Sequence, residues 1–136
     1  MSLVSYIGCN IKVPIMNTGN DNTIYIGTLF SNKDSRLEIQ EFQYSTKYVY
    51  EVTYDSWGIE LSKYQDDIMY NQAKKALHEL CEWMNNYLAI GDYFEFYTCW
   101  AGEESYKYES KIILPITNFY QEDMEIRAQT FVRFLK

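Results

Sequence analysis

The sequence holds one histidine, two prolines and six glycines, and its longest apolar run, at residues 112–116, is far too short to cross a membrane. Each shortage closes off a class of function. With His78 as the single imidazole, a nucleophilic triad has one candidate base and no two-histidine metal site can form. The cysteines Cys9, Cys81 and Cys99 are odd in number and far apart, so no C-x-x-C redox pair or zinc motif is encoded. They read as small buried hydrophobes in a reducing compartment. No phosphate-binding loop, dinucleotide fingerprint, nucleophile elbow or H-E-x-x-H occurs. No basic segment followed by an apolar run opens the chain, so no secretory signal is expected and a cytoplasmic location is. No metal and no cofactor are expected.

What the chain has in excess is aromatic side chains and acid. There are 14 Tyr against 7 Phe and 3 Trp, and an amphipathic ring in that proportion suits half-buried sheet faces and exposed contact surfaces. The formal net charge of −7 repels phosphate backbones and anionic lipid, which argues against nucleic acid and membrane as partners and permits a basic protein or a cationic ligand. The hydrophobic fraction of 47% is enough for a core, so the 136 residues are expected to fold as one domain, residues 1–136.

Periodicity sets the fold class. Residues 4–13 alternate, with Ile7, Cys9, Ile11 and Val13 on a buried face and Tyr6, Gly8, Asn10 and Lys12 opposite. Further strands are expected at residues 23–30, 37–42, 47–54 and 58–61, the 47–54 run being dense in β-branched and aromatic residues. Ser62 and Gln65 form a capping box, Asp66 and Asp67 follow in the first turns, and Met69, Ala73, Ala76, Leu77, Leu80, Cys81, Met84 and Leu88 recur at helical spacing. A helix over residues 63–90 follows, closed by an αL Gly91. Residues 92–100 and 105–116, joined by the turn at 101–104, read as a β-hairpin, and residues 127–135 as a last strand. Strands, one long amphipathic helix, then strands argue for an α+β domain, with the helix packed on a mostly antiparallel sheet.

Most candidate sites have plain structural explanations. His78 sits mid-helix and pairs with Glu82 one turn on. Asp66-Asp67 serves the helix start, and Glu79 with Glu82, Glu103-Glu104 and Glu122-Asp123 carry no defined separation for paired-acid chemistry. The Asn- and Asp-rich loop at residues 17–22 holds one acid, Asp21, and lacks the distant bidentate Glu of a calcium loop. The sharper feature is the concentration of aromatics and acids around the expected hairpin. Trp100, Glu103, Glu104, Tyr106 and Tyr108 form a candidate surface for a basic protein partner. Glu51 or Glu95 with Tyr48, Tyr93 and Tyr97 form an alternative, an aromatic pocket between helix and sheet for a cationic small ligand. Trp57-Gly58 is a weaker candidate of the same kind.

In size, acidity and tyrosine content the chain resembles the small immunity proteins that bacteria make against their own toxins. The likeness is one of composition and rests on no motif. It implies a non-catalytic inhibitor of a basic toxin such as a nuclease.

Overall fold

Alternation along β1 (Leu3–Cys9) puts Ile7 and Cys9 on one side and Tyr6 and Gly8 on the other, and all four are buried. The sheet is therefore covered on both faces, where the sequence pattern suggests one covered face. A computed structural model describes residues 2–14, 24–27, 37, 39–41, 43–54, 58–64, 66–117 and 124–136. The loop at 17–22, Trp57, Gln65, the Glu122-Asp123 pair and the ends of the second expected strand lie outside the described residues.

The chain is an α+β fold. Its other elements are β2 (Ile24–Gly27), β3 (Tyr48–Tyr54), α1 (Asp67–Asn85), β4 (Tyr93–Trp100), β5 (Ser110–Pro115) and β6 (Thr130–Leu135). They form a 6-stranded sheet in the order β2-β3-β1-β4-β6-β5. The pairings are antiparallel except β5 with β6, which is parallel. Residues 92–100 and 105–116 are thus no hairpin, because β6 lies between β4 and β5. The reason lies in burial. Thr130–Leu135 is apolar on both faces, with Phe131 on one and Val132 and Phe134 on the other all buried, and such a strand needs neighbours on both sides. Ser110–Pro115 alternates exposed and half-buried residues and suits an edge, where Pro115 is tolerated.

Two apolar clusters flank the sheet. The larger joins Ile7, Cys9, Val52, Phe94, Phe96, Val132 and Phe134 to the helix residues Ala73, Ala76, Leu77, Leu80, Cys81 and Met84. Register aligns its rings: Ile7 opposes Tyr50 and Phe96, Phe96 opposes Val132, and Phe94 stacks on Phe134 at 4.9 Å. The second joins Tyr6, Tyr97, Cys99 and Phe131 to Ile39 and Tyr44. Residues 37 and 39–41, expected to be strand, are helical, and both Gln43 and Tyr44 donate their N–H to the Ile39 carbonyl. Residues 58–61 likewise form no ladder strand, only an isolated bridge between Leu61 and Ile126.

The helix is shorter than its apolar pattern. Ser62 does not cap it; its hydroxyl accepts from Tyr64 N. Leu61 is still held in its bridge, so the helix begins only once Asp66 can turn its side chain onto Met69 N at 2.8 Å. Met69, first in the expected stripe, is 53% exposed. At the other end the helix stops at Asn85, and Gly91, at φ +90°, belongs to a later turn. The Lys136 ammonium donates to the carbonyls of Asn85 (2.6 Å) and Leu88 (2.7 Å), a cation where the helix dipole favours one.

Packing on the second face is tight at Gly8. A Cβ built there would meet Thr46 Oγ1 and stand 2.9 Å from the Tyr44 ring. Gly8→Ala should therefore lower stability by about 1–3 kcal/mol, read as a lower urea midpoint at unchanged m-value. A variant as stable as the parent would show that residues 44–46 are not clamped onto β1.

Candidate functional site

Two hydroxyls interrupt the apolar rows where β1 meets β4. Thr98 Oγ1 donates to the Ile59 carbonyl at 2.8 Å, which uses its single proton. Ser5 must then be the donor in the 2.6 Å contact between Ser5 Oγ and Thr98 Oγ1. Ser5 Oγ in turn accepts the Ile59 N–H at 2.7 Å. The closed ring satisfies both hydroxyls and both backbone groups of Ile59, and it fastens residues 58–62 across the end of β1 and β4.

From that anchor a cleft is assembled. Leu61 exchanges two backbone hydrogen bonds of 2.9 Å with Ile126, which brings the approach to β6 alongside. The Ala128 N–H donates to Glu60 Oε2 at 2.8 Å. Gln129 donates its N–H to the Thr98 carbonyl at 2.7 Å, and its own carbonyl accepts from Glu109 N (2.8 Å) and Ser110 N. The cleft is open to solvent and has a volume of about 550 Å³, within the range of small-ligand sites. Glu60, Ser62 and Tyr64 line it from one segment, Glu109 and Ser110 from another. Trp100 closes the β4 end, and Arg127, Ala128, Gln129 and Thr130 complete the lining.

Two features of the cleft cost free energy or leave chemistry open. Gln129 is the one non-glycine residue at positive φ (68°) among the described residues, a conformation that costs roughly 1 kcal/mol and persists here because three backbone hydrogen bonds hold it. The Arg127 guanidinium lies 5.3 Å from the centre of the Tyr64 ring and makes no ion pair among the described residues. Glu109 is exposed and likewise unpaired by any described cation. Both line the same cleft as Glu60, and no ion pair joins Arg127 to either carboxylate.

The first expected contact set divides. Trp100 (37% exposed) and Tyr106 (55%) present their rings outward, with Glu103 half-buried between them in sequence. Glu104 is 2% exposed and works inward: it accepts from the Tyr6 hydroxyl at 3.2 Å and from Gly102 N at 3.0 Å. The Gln43 side-chain amide donates to the carbonyls of Glu104 and Tyr106, so this loop is held from beneath. Tyr108 turns inward as well, its ring 5.3 Å from that of Phe131.

The second expected set is split between faces. Glu51, Tyr93, Glu95 and Tyr97 share the face of the second cluster, whereas Tyr48 packs with the larger cluster that holds the helix residues. These residues therefore do not surround a pocket between helix and sheet. Glu95, 1% exposed, is already bound by Arg133 at 2.9 Å (Nη2) and 3.2 Å (Nε), and the same guanidinium lies 4.5 Å over Tyr93. Glu51 is fully buried. Glu95 Oε1 and the Tyr97 hydroxyl make no hydrogen bond among the described residues.

The remaining candidates keep structural roles. His78 Nε2 lies 3.0 Å from Glu82 Oε1. All three cysteines are free and buried. Among the described residues no three His, Cys, Asp or Glu side chains converge as a metal site, and no helix is long and apolar enough to cross a membrane. The cleft residues Glu60, Tyr64, Glu109, Arg127 and Gln129 escaped the sequence reading. They come from segments far apart in the chain, and nothing near Arg127 or Gln129 signals a bridge to Leu61. Comparison with protein-family models, curated proteins and solved structures found no match.

Two measurements test this construction. Thr98→Val keeps the shape but leaves the Ile59 carbonyl and the Ser5 hydroxyl short of a partner, and should cost about 1–3 kcal/mol with faster amide exchange at residues 58–62. An unchanged exchange pattern would show that the ring does not hold the segment. The second concerns pH. Burial pushes the Cys9 thiol up to about 11 and the Cys99 thiol up to about 12, the latter reinforced by Glu104 and Glu103. Burial also raises the Tyr6, Tyr44 and Tyr97 hydroxyls. The unfolded chain ionises these groups at their ordinary values while the folded chain keeps the protons. Their contribution to stability should then be level below about pH 8.5 and fall above it, each group adding up to about 1.4 kcal/mol per pH unit. A thermal midpoint flat up to pH 10.5 would contradict the burial of these groups.

Proposed function

We propose that this chain is a non-catalytic protein-binding module that takes a basic partner, in its sharpest form an immunity-type inhibitor of a cationic toxin. The observation that carries the reading is the loop after β4. Trp100, at its start, and Tyr106, within it, are exposed, with Glu103 between them in sequence, while Glu104 and Gln43 secure it from below. Trp and Tyr side chains lose little entropy on docking, and they are the residues that most often dominate interface energies. The net charge of −7 would steer a cationic partner toward it. Glu104 and Tyr108 contribute by shaping the loop, not by touching the partner. The cationic-ligand alternative draws less support, because Glu95 is committed to Arg133 and Glu51 is enclosed.

The test is capture from the source lysate on the immobilised chain, followed by affinity measurement with the purified partner. The partner should be basic, its affinity should fall roughly tenfold or more from low to high salt, and Trp100→Ala and Tyr106→Ala should each weaken it by roughly tenfold or more. Salt-independent binding that tolerates both substitutions would end the proposal.

A further inference from the structure

The cleft at the start of β6 has properties that a protein-docking loop does not require. Its charges are of both signs: Glu60, which accepts the Ala128 N–H, and two groups with no ion pair among the described residues, Arg127, resting on Tyr64, and Glu109, at the entry to β5. Both side chains are exposed, where an unpaired charge costs little, so each stays available to a ligand. Trp100 and Tyr64 add two aromatic surfaces. Gln129 keeps a strained φ of 68° where glycine would be free of strain, so a glutamine is held at the cleft against the preference of its backbone. Hydroxyls of Ser110 and Thr130, 3.1 Å apart, supply further hydrogen-bonding capacity in the lining.

We infer that this cleft binds a small amphoteric molecule of amino-acid to dipeptide size. Its carboxylate pairs with the Arg127 guanidinium, a donor fork matched to that group. Its ammonium pairs with Glu109. Its side chain lies against Trp100 or Tyr64. The volume of about 550 Å³ admits such a molecule with solvent to spare. The site does not depend on the partner-binding reading, with which it shares Trp100 alone.

The experiment is a titration of the labelled full chain with the twenty standard amino acids and glycyl-phenylalanine. It follows the Trp100 indole and the amides of residues 128–130 by NMR. At least one amphoteric probe should give saturable shifts confined to this cleft. Acetylating that probe's amine, or amidating its carboxylate, should weaken it by roughly tenfold each. Arg127→Gln should erase the difference between acid and amide forms, and Glu109→Gln the difference between amine and acetyl forms. The inference is overturned if no probe shifts the cleft, or if the blocked forms bind as well as the free one. Neither result bears on the Trp100 and Tyr106 test with a basic partner.

Discussion

The ring of hydrogen bonds among Ser5, Thr98 and Ile59 is the constraint from which the rest of the molecule follows. Two hydroxyls placed between apolar rows cost several kcal/mol if left unpaired. They are paired by bringing in a segment with its own orphan backbone groups. Once Ile59 is fixed, Leu61 reaches Ile126, Glu60 receives the Ala128 N–H, and Gln129 docks on the Thr98 carbonyl. The cleft, the entry to β6 and the delayed start of the helix all descend from that one polar junction.

The abundance of tyrosine has a matching explanation. Where a phenylalanine would only fill space, these side chains also tie distant segments through their hydroxyls. Tyr44 donates to the Tyr6 carbonyl at 2.6 Å, Tyr6 to Glu104, and Tyr70 to the Met124 carbonyl at 2.6 Å. Tyr50 accepts from Val13 N and Tyr54 donates to Gln72. In a chain with six glycines and two prolines, such ties do part of what tight turns do elsewhere. The acids divide in the same way: Glu95 and Glu104 work inside the fold, whereas Glu103 is half-buried and Glu109 exposed.

The legible parts were those fixed by local pattern. The helical stripe from Ala73 to Met84 is buried as its spacing implies, and His78 meets Glu82 one turn away. The strands β3 and β4 lie where expected, whereas β1 stops at Cys9, short of residue 13, and β6 starts at Thr130, beyond residue 127. The misreadings share a cause. Residues 37–42 have strand-like composition, yet the described ones, 37 and 39–41, are helical because the second face of β1 and β4 needs Ile39 and Tyr44 as its cover. The hairpin after β4 looked natural because consecutive strands usually pair. Phe131, Val132 and Phe134 overrode that preference, since a strand apolar on both faces is worth most in the interior of the sheet.

By itself, the sequence determined the class of the fold and the place of its main helix, because periods of two and of three to four residues are properties of neighbours along the chain. It also determined the net charge and the single histidine. Only the tertiary structure decided which tyrosines and glutamates face out, that β6 separates β4 from β5, and that Glu60, Glu109, Arg127 and Gln129 share one cleft. Those outcomes depend on satisfying buried polar groups and on covering both faces of one sheet. Both are balances over the whole molecule, and no window of sequence contains the partners that settle them.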